Sequence, residues 1–237
     1  MKKIIYLVII SSFLLFSCKK EKVEETPFKP TPYSIRVPNR FPAPVIPAEN
    51  PMTVEGVALG RMLFYDPILS SNGLTCSACH IPDKSFSKPI FISSAGDSIS
   101  IPPHINLAWN PDYLWNGGEP KLDHLCIADF GPAFFNTDMD VLVQDIKNHN
   151  SYPQMFYRAF GISDVSTISH DELQQKIVYA IIQFVRTMVS DNSKFDKYLR
   201  QEVALSQSEL SGYIIFMTEK GDCFHCHGVP LFTSNDF

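Results

Sequence analysis

The chain lacks a cationic excess: 20 lysines and arginines face 25 aspartates and glutamates, for a net charge of −5. A protein that neutralises phosphates needs the opposite balance, so nucleic-acid binding is set aside. A bilayer-spanning run is also missing. The apolar stretch Ile4–Phe16 has 13 residues, about 20 Å of helix against a hydrocarbon core of ~30 Å. What the chain has in quantity is proline. Many of its 18 prolines fall between residues 27 and 51 and at Pro102-Pro103, so the first half is expected to be rich in loops and poor in long helices. With 237 residues, 45% apolar and 19% charged, the balance is that of a globular chain forming one large domain or two small ones.

The N-terminus carries an address. Lys2 and Lys3 precede the apolar run, as in a secretory signal. The run ends Leu15-Phe16-Ser17-Cys18 before Lys19 and Lys20. That pattern resembles a bacterial lipobox, in which Cys18 becomes the lipidated first residue. The plainer alternative is an ordinary signal peptide with an incidental cysteine. Residues 1–18 are thus expected to be a lipoprotein signal peptide and residues 19–50 an extended tether, giving a membrane-anchored periplasmic protein.

Thr53–Asp66 (TVEGVALGRMLFYD) places Val57, Gly60, Arg61 and Phe64 at helical spacing, so the pattern predicts a short helix stopped by Pro67. Asn72-Gly73 is a turn signal. Residues 81–135 show little sustained periodicity and are expected to form long ordered loops wrapping a large apolar object. After Met139 helical signals dominate. Helices are expected over 140–148 and 152–160. Another, opened by a capping box at Ser169–Glu172, runs to about Met188 with Leu173, Ile177, Ala180, Ile181, Phe184 and Met188 on one face. Ser206–Glu209 repeats the box and opens a helix through Phe216, with Gly221 as its stop.

Two strings carry the chemistry: Cys76-Ser77-Ala78-Cys79-His80 and Cys223-Phe224-His225-Cys226-His227. Joining a haem through its two vinyl groups requires two thiols a fixed distance apart. One helical turn from Cys to Cys supplies that distance, and the adjacent His can bind the iron. A zinc ribbon also pairs CxxC motifs, but 143 residues separate Cys79 from Cys223, far beyond ribbon spacing. A thioredoxin-like CxxC needs a βαβ context and has no use for the following His. Cys76, Cys79, Cys223 and Cys226 are therefore assigned to two covalent haems c, with His80 and His227 as iron ligands. The expected fold is mainly α, with two cytochrome c-like haem domains over 51–165 and 166–237.

With these residues in place the chain resembles the bacterial di-haem cytochrome c peroxidase family from about Pro51 to its end. The likeness is carried by Leu59–Pro67 (LGRMLFYDP), Cys76–Asp83 (CSACHIPD) with Phe86 and Ser87, Asn106–Trp109, Leu114–Gly118 (LWNGG), Phe184–Thr187, and Cys223–Phe232 (CFHCHGVPLF). The resemblance implies that hydrogen peroxide is reduced at the first haem. Electrons would reach it through the second haem from a small cytochrome c or cupredoxin. It implies that Trp115 bridges the two haems, the plainer alternative being a core aromatic. It places the family's distal carboxylate, which shuttles a proton between the peroxide oxygens, at Asp138 before Met139; the competing role is an N-cap for the 140–148 helix. Homodimers are common in the family.

Departures from the family pattern bear on that implication. Asp138 is one methylene shorter than the family's Glu, roughly 1.5 Å of reach. A distal Gln falls at Leu125, and a calcium-associated Asn falls at Ser100, which weakens the expectation of calcium. Three extra residues lie between the Trp115 stretch and Asp138. His104 and His124 stand where the pattern has no fixed His; each is read as a packing or surface residue in preference to an iron cap. Cys126 is read as a buried, inert thiol. Ten residues follow His227 and none is Met, the family's sixth ligand for the second haem, so the second domain is expected to be incomplete. A non-catalytic di-haem electron carrier is the alternative function, and a substrate-oxidising relative the third.

Overall fold

The computed structural model of the protein describes residues 27–92 and 96–233. Cys18 and the apolar run before it lie outside them. In order, the described residues form α1 (Val54–Tyr65), α2 (Cys76–Cys79), β1 (Lys88–Ile92), β2 (Ser98–Ile101), α3 (Met139–Asn148), α4 (Tyr152–Phe160), α5 (His170–Val185), α6 (Lys194–Leu199) and α7 (Gln207–Phe216), with short 3-10 turns between them. Among these helices none is long and apolar enough to cross a membrane.

Helix α1 begins where Thr53, in extended backbone, accepts the Gly56 N–H at 2.9 Å. Its buried side chains, Leu59, Leu63 and Phe64, recur at three- and four-residue spacing and press on α4 and α5. Gly56 and Gly60 share that face and set how closely α1 meets α5. A Cβ on Gly60 would stand 1.8 Å from the Ala180 carbonyl oxygen, a backbone atom that cannot swing aside. Gly60→Ala is therefore expected to cost about 1–3 kcal/mol through forced separation of the helices. A urea-unfolding midpoint on the holoprotein measures it.

Helix α5 is the centre of the core. Leu173, Ile177, Val178, Ala180, Ile181, Ile182 and Val185 are buried, more of its circumference than the one face read from sequence. Ser169 caps it by accepting the Glu172 N–H at 3.1 Å, but the return bond expected of Glu172 is not formed. It also ends at Val185 rather than near Met188, because Arg186 turns inward and Thr187 and Met188 take tight-turn bonds to Phe184 and Val185. The capping box at Ser206–Glu209 is complete, and a second one at Ser193–Asp196 opens α6.

Two expectations are corrected. Residues 81–135 were expected to be loops throughout, yet β1 and β2 form an antiparallel pair, with Lys88 opposite Ile101 and Ile92 opposite Ser98. Residues 27–50 are not a free tether. This proline-rich arm is extended, but the Thr31 N–H and hydroxyl bond Glu55 at 2.7 and 2.9 Å, and Arg36 grips Asp191 through two bonds. The Trp109 indole N–H donates to the Pro42 carbonyl at 2.7 Å, and Phe28 packs edge-on to Tyr157. An extended chain with few internal bonds gains by lending its polar groups to the body. Asn50, at its end, is buried against Asp123 and Gln183.

Packing is uneven along the chain. Among the described residues none after Met188 is buried, and α7 leaves Ile214 and Ile215 exposed. An aromatic group, Phe195, Tyr198, Tyr213, Phe216 and Phe232, holds this part together.

Candidate functional site

Thr75 starts α2 by accepting the Ala78 N–H at 3.1 Å. The single turn that follows places Cys76 and Cys79 one helical turn apart, and the His80 N–H closes it on the Cys76 carbonyl at 2.8 Å. Burial pushes both thiols up from their ordinary value.

His80 is oriented from its far side. Its Nδ1 lies 2.9 Å from the Phe86 carbonyl oxygen. A carbonyl only accepts, so Nδ1 carries the proton and the Nε2 lone pair is left for a metal. Burial lowers the His80 pKa to about 4, which keeps the ring neutral as ligation requires. The carbonyl is delivered by a tight turn in which Ser85 and Phe86 both take left-handed backbone, at φ 57° and 55°. Non-glycine residues there carry strain of about 1 kcal/mol or more each, tolerated where the position matters.

The second motif repeats this device. The His227 N–H closes on the Cys223 carbonyl at 2.9 Å, and His227 Nδ1 lies 2.9 Å from the Phe232 carbonyl. Phe232, like Phe86, sits at positive φ, 57°. Two distant segments thus share one construction: a thiol pair on a turn, then an imidazole aimed by the carbonyl of a left-handed phenylalanine. Sequence reading marked both phenylalanines within family-like strings but assigned them no role; the signal was a Phe five or six residues beyond each motif's His.

The first motif gathers further groups. His104, 7% exposed, stacks on His80 with ring centroids 3.4 Å apart and planes 18° apart. Its Nδ1 is buried without a partner. Burial, and then the neighbouring His80, hold its pKa well below the ordinary imidazole value. Rings in contact lie side by side, so His104 stands against the face of His80 and could not lie on the far side of a metal that His80 held, contrary to the capping alternative. His124 is a surface residue near Glu119. Cys126 is buried, and burial raises its thiol pKa well above the ordinary value, as expected of an inert thiol.

Asp138 is the N-cap of α3: its Oδ1 accepts the Asp140 and Val141 N–H groups at 3.0 and 3.1 Å, and the residue is exposed. Its loop is tied to the one leading into Cys76, through the Thr137 hydroxyl on the Leu69 carbonyl at 2.6 Å and the Ser71 N–H on Phe135 at 3.0 Å. Leu125 packs partly buried against the core. Trp115 is 67% exposed, not a core aromatic, and its indole N–H donates to the Ser100 carbonyl at 2.7 Å.

Asp129 was not singled out in the sequence, where it is an acid flanked by apolar residues within the extra-residue stretch. It is half-buried on the turn Ile127–Phe130, and burial raises its pKa to about 7. Unfolded, it ionises near 3.8. Folding therefore retains a proton between those values: this contribution is fully present below about pH 4 and is lost as pH rises through about 7. The Asp129→Asn holoprotein is expected to match wild type in urea midpoint near pH 4 and to exceed it at pH 8.

The donor set, two thiol pairs each followed by an imidazole aimed by a backbone carbonyl, fits haem. A helical body built around two such segments defines the class as a di-haem protein. Residues 54–204 match the family model described as di-haem cytochrome c peroxidase. The chain is 32% identical over 208 residues to the methylamine utilization protein MauG of Methylophilus methylotrophus, covering 84% of this chain and 59% of that one. It is 32% identical to cytochrome c551 peroxidase of Nitrosomonas europaea, covering 80% and 56%. A solved MauG-like protein associated with microbial copper homeostasis superposes with a TM-score of 0.74 at 28% identity, covering 84% and 59%. The chain belongs to the di-haem cytochrome c peroxidase family, and it spans about 59% or less of the length of these relatives.

Proposed function

We propose that the chain holds two covalent haems c and reduces hydrogen peroxide to water at the first. Electrons enter through the second from a small cytochrome c or cupredoxin. The observation that carries this is the duplicated aiming of His80 and His227 through phenylalanine carbonyls, each directly after a thiol pair. We further propose a periplasmic location with a lipid on Cys18, as the N-terminal pattern suggests.

Haem iron supplies the redox centre at which peroxide is reduced; the remaining work falls to side chains. Cys76 with Cys79, and Cys223 with Cys226, would each hold a porphyrin by two thioethers. His80, donating from Nδ1, would hold the iron through Nε2, and the hydrogen bond would raise its strength as a ligand. Asp138 is the proposed proton carrier, taking a proton from one peroxide oxygen and returning it to the other. Helix α3 presents two N–H groups to its Oδ1, which leaves Oδ2 to meet the substrate. Trp115, pinned by its indole N–H, offers its exposed ring as the bridge toward the second haem.

Leu125 and the exposed capping position of Asp138 favour a second reading, a di-haem carrier that only relays electrons. Peroxide consumption by the purified holoprotein with a reduced small cytochrome separates the two: sustained turnover is expected. Electron uptake without turnover would leave the carrier.

A further inference from the structure

We propose that His104 is a positioning residue for the iron ligand of the first haem: its ring braces the face of His80 and fixes the plane in which that imidazole meets the iron. The inference rests on His80 being the ligand. Hydrogen bonds to the Phe86 and Pro102 carbonyls hold the His80 ring by its nitrogen edge and leave it the freedom to rock about those contacts. A flat wall 3.4 Å away and 18° from parallel removes the freedom. The wall is registered to the ligand, because the Phe86 carbonyl that accepts from His80 Nδ1 at 2.9 Å also accepts the His104 backbone N–H at 3.3 Å. One acceptor therefore sets the height of both rings. Phe64 then touches both, its centroid 6.4 Å from each, so the pair is wedged as a unit against α1.

His104 is 7% exposed and its Nδ1 has no partner, which is a poor arrangement for a residue there only to fill space. Its service to the ligand lies in the flat ring, so a phenyl ring can replace it. This separates a brace from an iron ligand, for which phenylalanine is no substitute.

The test uses the holoprotein with His104→Ala and His104→Phe, read by ferric electron paramagnetic resonance and by the midpoint potential of the first haem. In the alanine variant the single first-haem signal is expected to broaden into several species, with a shifted potential. In the phenylalanine variant both are expected to return to wild type. Two alanine and phenylalanine signals indistinguishable from wild type would overturn the proposal. So would an equal change in both, above all conversion of the first haem from low to high spin, which marks His104 as a ligand. If the alanine variant fails to load haem, the phenylalanine variant decides by itself: a wild-type signal supports the brace and an altered one overturns it. His80→Ala is the control for the underlying assignment. A first-haem ligand field unchanged by that substitution removes His80 as ligand, a failure distinct from that of the brace.

Discussion

Asp138→Asn is expected to lower peroxide turnover roughly 10²–10⁴-fold, the usual worth of a positioned proton carrier, while leaving the melting midpoint in place. Asparagine caps a helix about as well as aspartate, so the bonds to Asp140 and Val141 survive and the proton alone is lost. Asp138→Ala loses both, and its stability is expected to fall by about 1 kcal/mol as well. The pair of variants thus divides the capping role seen in the structure from the catalytic role proposed for it. Turnover retained by Asp138→Asn would leave Asp138 a helix cap only. The half-buried carboxylate of Asp129 would then be the next residue to test.

Asp123→Ala is expected to be the most destabilising single change, at about 3–5 kcal/mol. Asp123 and Arg186 are both buried and paired through both guanidinium nitrogens, one bond measuring 3.0 Å. The same carboxylate accepts from Asn50 at 2.5 Å, and Asn50 in turn accepts from Gln183 at 2.8 Å. Removing Asp123 leaves a guanidinium buried without its counter-charge and Asn50 with only the Tyr179 carbonyl, at 3.1 Å, as acceptor. The arm, the turn at Leu122–His124 and α5 meet at this network, so all three loosen together. Replacing Asp123 and Arg186 by leucines in one variant is expected to recover much of the loss, because no buried charge is then stranded. Urea unfolding of the three holoproteins measures it; a loss below about 1 kcal/mol for Asp123→Ala would show that water reaches Arg186.

What the sequence made legible was local. The apolar spacing of VEGVALGRMLFY, the serine caps and the CxxCH strings depend on neighbours within one or two helical turns, and each is found where expected. What it hid depends on contacts between distant residues. Nothing near Arg36 announces that its partner is Asp191, so the arm read as a tether. The β1–β2 pair is short and contains Pro89, which reads as loop. The stacking of His104 on His80 joins residues 24 apart across a loop whose path no periodicity records. The positive φ of Phe86 and Phe232 is equally silent, since phenylalanine rarely adopts it. The aiming carbonyls emerge only when both motifs are compared in three dimensions.

The central claim is that two porphyrins are bound through sulfur, each with a neighbouring imidazole on its iron. A pyridine haemochrome assay on purified protein, after acid–acetone extraction and beside an intact mass, tests it most directly. Two haems per chain that stay with the protein through extraction are the predicted result. Colourless protein, a single haem, or haem that leaves with the solvent would contradict it.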